Sequence, residues 1–139
     1  MALLEVKNLK KVYTTRFGTN QVKALSDVNF SVEKGEYVAI MGESGSGKTT
    51  LLNILASLDK PTNGEILLNG KNTVQIKDKE LSAFRRDNLG LVFQDFNLLD
   101  TLTAYENIAL ALSIQNVKAG EIDRRVKKVA NELGIYEVL

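Results

Sequence analysis

The residues Gly42-Glu43-Ser44-Gly45-Ser46-Gly47-Lys48-Thr49 have the types and the spacing to hold a chain of phosphates. They match the phosphate-loop pattern G-x-x-x-x-G-K-[ST] in full. Glycines at 42, 45 and 47 let the backbone curl until successive N–H groups face inward around the oxygens of a β-phosphate. Lys48 would set one ammonium between the β- and γ-phosphates, and the Thr49 hydroxyl is a hard oxygen ligand suited to Mg²⁺. A helix starting there would aim its positive dipole end at the same anion. Glu43 belongs to the loop by position, but a carboxylate beside a triphosphate is repelled, so its side chain is expected to point outward. A glycine turn that happens to precede a helix is the bland alternative. At ordinary glycine usage, a chance match in a chain this long arises roughly once in a few hundred sequences. The predicted order of buried strand, loop and helix makes it rarer still.

A second segment bears on the same chemistry. Leu89-Gly90-Leu91-Val92-Phe93 is a short apolar run that ends at Gln94-Asp95. Either Asp95 is a Walker B carboxylate closing a strand, or Gln94 is a strand-end glutamine that senses the γ-phosphate and its metal. A Walker B acid follows its apolar run directly, and Gln94 holds that place, so spacing favours Gln94. A phosphate loop alone does not choose between kinases, GTPases, motors and transporters.

Composition narrows the remaining chemistry. The 139 residues contain no cysteine and no histidine, which removes disulfides, thiolate ligands, cysteine nucleophiles and imidazole bases. A formal net charge of +1 gives no global electrostatic case for nucleic acid or an anionic membrane. A charge at Glu5 comes too early for a secretory signal, and no apolar run approaches the roughly 20 residues of a membrane helix. The chain is expected to be cytosolic, with any membrane contact made through a partner.

The elements that must position these residues follow from periodicity. Residues 2–13 and Ala24–Val32 alternate and predict two antiparallel strands before Lys34-Gly35. Tyr37-Val38-Ala39-Ile40-Met41 predicts a strand buried on both faces, leading into the phosphate loop. Helical spacing runs from Lys48 to Leu58, with Pro61 beyond it. Residues 65–68 followed by Asn69-Gly70 read as strand and turn, 78–86 as a short helix and 89–93 as another strand. Thr103 and Glu106 have the capping-box spacing ahead of the apolar Ile108–Ile114. A last helix is predicted over 121–133, with Ile122, Val126, Val129 and Leu133 on one stripe and Gly134 to end it. Its basic pairs Arg124-Arg125 and Lys127-Lys128 read as a solvated face.

Ile40 to Asn53, with its Gly42–Thr49 core, resembles the Walker A region of ABC ATPases. Leu58-Asp59-Lys60-Pro61-Thr62-Asn63-Gly64 is similar to the segment that follows it in that superfamily. Phe84-Arg85-Arg86 through Val92-Phe93-Gln94-Asp95-Phe96-Asn97-Leu98-Leu99 resembles the Q-loop region, and Leu102 to Ile108 its continuation. The bacterial subfamily of lipoprotein release, macrolide export and antimicrobial-peptide resistance is the most similar. The resemblance implies an α/β fold: a phosphate-loop NTPase core with an antiparallel β-subdomain at 1–35, the core to the Q-loop at 36–100 and the start of a helical subdomain at 101–139.

The resemblance also implies roles. ATP and Mg²⁺ are the implied ligands, held by Gly42, Glu43, Ser44, Gly45, Ser46, Gly47, Lys48 and Thr49, with Thr50 on the α-phosphate. Tyr13 aligns with the aromatic residue that stacks on adenine, although by itself a lone strand tyrosine is more often packing. Lys48 and Gln94 are the implied catalytic residues, and Thr49 and Gln94 the implied metal contacts. Leu98 to Tyr105 would line a groove for a permease helix, where the alternative is plain core. Partners would be a transmembrane permease and a second ATP-binding domain, with the subunit peripheral on the inner face of the plasma membrane.

After Gln94 there is no Leu-Ser-Gly-Gly-Gln signature, no second apolar strand ending in Asp-Glu and no switch histidine. These 139 residues are therefore expected to be part of a larger enzyme that binds nucleotide here without efficient turnover. A small-molecule kinase, a non-catalytic nucleotide-binding fragment and a soluble ABC protein of translation or repair are the competing readings. The kinase leaves Phe93-Gln94 and the capped helix unexplained, and the absence of basic tracts argues against a nucleic-acid role.

Overall fold

The computed structural model describes residues 1–139, which divide into two units, Met1–Arg85 and Arg86–Leu139. In the first, strands β1 (Leu4–Thr14) and β2 (Gln21–Val32) form the antiparallel pair expected from their alternation. Strand β3 (Asn63–Leu68) joins the other edge of β1, and the short β4 (Lys71–Asn72) pairs with β3, giving the order β2-β1-β3-β4. Helix α1 (Lys48–Leu55) lays Leu51 and Ile54 against Val6, Leu9, Leu25 and Ile66 of the sheet. Helix α2 (Asp78–Asn88) buries Phe84.

Two glycines mark places where backbones approach closely. A Cβ on Gly64, at φ +103°, would lie 2.5 Å from the Asn8 carbonyl oxygen and 2.6 Å from Leu9 Cα, beside the register shift of the β1–β3 ladder. A Cβ on Gly47, at φ +96°, would lie 2.5 Å from the Ala24 carbonyl oxygen of β2 and 3.1 Å from Leu25 Cδ2. Only glycine combines that left-handed conformation with that contact. Helix α1 stops at Leu55 rather than at the expected Leu58. Ser57 turns to φ +58°, and the Leu58 and Asp59 amides both donate to the Asn53 carbonyl.

The two apolar runs predicted as strands, the first of them as buried on both faces, are not strands. Residues 37–41 and 89–93 carry no ladder; Tyr37 is 98% exposed and Val92 102% exposed, and only Ile40 packs on the core. A strand is stabilised by its neighbours rather than by its own bonds, and no strand of the four-stranded sheet pairs with either run. Apolarity and β-propensity described what these residues favour, while pairing depends on what lies next to them.

In the second unit, α3 (Ala104–Ile114) starts at the expected capping box. The Glu106 amide donates to Thr103 Oγ1 at 3.1 Å and the Thr103 amide to Glu106 Oε2 at 3.1 Å. Asn107 fastens the preceding turn, its Oδ1 accepting from the Leu99 amide at 2.9 Å and its Nδ2 donating to the Leu99 carbonyl. Helix α4 (Ala119–Glu132) packs on α3, and Tyr105 Oη donates to Asp123 Oδ1 at 3.0 Å between them. Burial in α4 centres on Val126 and Ala130, whereas Leu133 of the expected stripe is exposed. The small Ala130, four residues on from Val126, lies on the same helix face and lets the backbones approach. Gly134, at φ +70°, ends the helix as expected.

Leu9 is fully buried at the centre of the first core. Leu9→Ala should lower the opening free energy of the β1 and β2 amides by about 2–5 kcal/mol, read by native-state hydrogen exchange. Gly47→Ala should lower it by about 1–3 kcal/mol through the left-handed backbone and the Ala24 contact. Gly18→Ala, also at positive φ but in open space, should cost less in the same measurement.

Candidate nucleotide site

The segment 42–47 reaches α1 through two glycines at positive φ, Gly45 at +80° and Gly47 at +96°. Between them the Ser46 amide donates to the Glu43 carbonyl at 3.1 Å, closing a turn. Gly47 is the N-cap of α1 and has no side chain with which to cap it, and the first turn carries no acid. The leading amides of a helix lack intrahelical acceptors, so this end presents uncapped donors and the positive end of the helix dipole. Glu43 is exposed, as expected of an acid at this position.

Lys48 folds back into its own loop. Its Nζ donates to the Gly42 carbonyl at 2.6 Å, to the Glu43 carbonyl at 2.6 Å and to Ser46 Oγ at 3.2 Å. The ammonium is thus held at the mouth of the loop by neutral oxygens, a state from which anionic oxygens can recruit it, since charge-assisted bonds are the stronger ones. Thr49 is exposed and Thr50 half-buried, on the first turn of α1.

Tyr13, near the end of β1, belongs to the same unit as the loop and is 41% exposed. Its hydroxyl donates to Asp59 Oδ2 at 2.9 Å, and Lys11 Nζ lies 4.9 Å from its ring centroid. Lys11 Nζ also donates to Asp59 Oδ1 at 3.1 Å and to the Lys60 carbonyl at 2.6 Å. Burial pushes the Asp59 carboxyl up, but the hydrogen bonds from Lys11, Tyr13 and the Lys60 amide, with the Lys11 charge, outweigh it and hold it below the usual range. A depressed folded-state pKa means that this cluster adds stability above the ordinary carboxylate pKa and loses it as pH falls through the lowered value. Asp59 and Lys11 had no role in the sequence reading. Nothing in a lone aspartate 46 residues after a tyrosine signals that the two side chains meet.

Gln94 and Asp95 lie in the second unit, on exposed residues without regular structure. Gly42–Thr50 and Tyr13 thus belong to the first unit, and Gln94 to the second. The basic residues of α4 are largely paired with acids: Arg124 with Glu121, Lys127 with Asp123 at 2.9 Å and Lys128 with Glu132 at 3.9 Å. That is the solvated face read from the sequence.

Comparison with known proteins bears on the same residues. The ABC transporter family profile matches residues 25–139. The chain is 53% identical over 139 residues to the uncharacterized ABC transporter ATP-binding protein YvcR of Bacillus subtilis, covering 100% of this chain and 54% of that protein. It is 51% identical over 138 residues to the bacitracin export ATP-binding protein BceA of Halalkalibacterium halodurans, covering 99% of this chain and 54% of that one. Among solved structures, it resembles the dimeric post-hydrolysis state of the ATP-binding cassette MJ0796, from Methanocaldococcus jannaschii, bound to ADP and Pi. The TM-score is 0.82 and the identity 42%, over 90% of this chain and 54% of that one. The chain spans about half the length of these relatives. With a profile matching most of its residues and a cassette fold shared at 42% identity, the chain belongs to the ABC transporter family.

Proposed function

We propose that this chain forms the phosphate-binding part of an ABC transporter ATP-binding subunit, which couples ATP binding and hydrolysis to export through a separate permease. The observation that carries this reading is the Gly42–Thr49 loop, which ends on the uncapped start of α1 with the Lys48 ammonium bonded to the Gly42 and Glu43 carbonyls and to Ser46 Oγ. An entering triphosphate would take up the free amides of the helix start and draw Lys48 away from the Gly42 and Glu43 carbonyls. Because the ammonium exchanges neutral partners for anionic ones, the loop needs little rearrangement to bind.

Thr49 offers one neutral hydroxyl oxygen, which suits Mg²⁺, an ion that keeps waters and substrate phosphates as most of its ligands. Mg²⁺ would supply charge neutralisation at the β- and γ-oxygens. Thr50 is proposed on the α-phosphate and Tyr13 on the base. Gln94 is proposed as the residue that senses the γ-phosphate and metal. A relative named for bacitracin export supports an exporter. A permease partner and a place at the inner face of the membrane belong to the same proposal. A solved relative described as dimeric supports pairing of two such domains. No helix here is long and apolar enough to cross a membrane.

Hydrolysis is proposed for the complete subunit. These 139 residues contribute the phosphate cradle but no histidine and no Asp-Glu pair after an apolar run to hold the metal and polarise water.

Calorimetry should show ATP-Mg²⁺ binding to the chain, and Lys48→Ala should weaken it by about 10- to 100-fold, the range expected for losing hydrogen bonds to a charged partner. No binding by folded wild-type chain, or no change on Lys48→Ala, would overturn the reading. Residues 1–139 should show steady-state ATP turnover well below the roughly 1 s⁻¹ at the low end of ordinary enzymes. A rate at or above that value would contradict the division of labour between this segment and the rest of the subunit.

A further inference from the structure

We infer that Asp59 is a positioning residue for nucleotide-base recognition, fixing the Tyr13 ring from the turn that follows α1. The inference rests on the proposed stacking of Tyr13 on the base and names what prepares that side chain for it. A tyrosine near a strand end, 41% exposed, would otherwise sample several rotamers, and each must be given up when a base is bound.

Three contacts restrain the ring. The Asp59 carboxylate accepts the Tyr13 hydroxyl through Oδ2 at 2.9 Å, fixing its far end. The same carboxylate accepts Lys11 Nζ through Oδ1 at 3.1 Å, and Lys11 rests 4.9 Å from the ring centroid, a cation–π contact with the ring. Asp59 is itself held, because its Oδ1 accepts the Lys60 amide at 2.8 Å and its own amide donates to the Asn53 carbonyl of α1 at 3.3 Å.

The turn is also clamped to β1 beyond Asp59. The Thr62 amide donates to the Lys10 carbonyl at 2.8 Å, and the Val12 amide donates to Thr62 Oγ1 at 2.9 Å. The turn that carries Asp59 thus continues directly from the helix whose first turn faces the phosphates. Base and phosphate recognition are set by opposite ends of one element. With Lys11 at the ring, Tyr13 is still 41% exposed, which leaves surface for a flat base.

The test separates the base from the phosphates by measuring affinities for ATP-Mg²⁺ and for tripolyphosphate-Mg²⁺, which has no base. Wild-type chain, Tyr13→Ala, Tyr13→Phe and Asp59→Ala are compared, each checked for native hydrogen-exchange protection. Tyr13→Phe keeps the ring and the Lys11–Asp59 pair and removes only the hydroxyl link. Asp59→Ala and Tyr13→Phe should each weaken ATP about 3- to 10-fold, the scale of one side chain's ordering, with tripolyphosphate unchanged. Tyr13→Ala should weaken ATP at least as much.

If Tyr13→Ala leaves the ratio of the two affinities unchanged, the stacking reading fails and the inference with it. If Tyr13→Ala lowers the ratio while Asp59→Ala and Tyr13→Phe keep the wild-type value, stacking stands and the positioning role is overturned. Equal weakening of both ligands by Asp59→Ala would assign Asp59 to the fold alone and would also overturn it. Should Asp59→Ala fail to fold, Tyr13→Phe decides by itself.

Discussion

The close approach of α1 to the β1–β2 pair governs the first unit. The helix presents Leu51 and Ile54 to a patch made by Val6, Leu9, Leu25 and Ile66, and burying that patch is the main favourable term available to a sheet this small. The approach is so tight at the start of the helix that the Ala24 carbonyl lies where a Cβ on residue 47 would be. The glycine that permits this packing also leaves the helix start without a side-chain cap. The same residue thus serves the packing of the core and sets the start of the helix to which the proposed phosphate loop leads.

The far end of the helix obeys a related logic. Once Ser57 turns the chain, residues 58–62 return along β1 through backbone and threonine hydrogen bonds, and Lys11, Tyr13 and Asp59 meet there. Helix α1 is thus tied to the strands at both ends, by sterics at its start and by a charged, hydrogen-bonded cluster beyond its finish. The proposed phosphate loop leads into its start, and the cluster that holds Tyr13 lies just beyond its finish.

In the second unit the forces are more local. A reciprocal capping box, an asparagine that ties down the preceding turn, and ion pairs one helical turn apart stabilise α3 and α4 within themselves. Their contact adds two buried small or branched residues and the Tyr105–Asp123 bond. Hydrogen bonds from Lys127 and then Tyr105 hold the Asp123 carboxyl below its usual range, so that bond joins the helices with an ionised acceptor at neutral pH.

What the sequence determined by itself was much of what is governed by neighbours a few residues away. The Thr103–Glu106 cap, the pairing of the two alternating segments as β1 and β2 and the stop at Gly134 are short-range preferences that the chain follows, although β2 starts three residues earlier than its alternation, at Gln21, and α1 ends three residues short of Leu58. Tertiary structure alone decided which residues meet across long stretches of chain. Residues 37–41 and 89–93 have strand composition but no strand paired with them, because pairing requires a neighbour that composition does not supply. The Lys11–Tyr13–Asp59 cluster joins residues 46 and 48 positions apart, and the turn of Lys48 onto the Gly42 and Glu43 carbonyls depends on a loop already closed. Local preference is written residue by residue, whereas contact is a property of the folded chain as a whole.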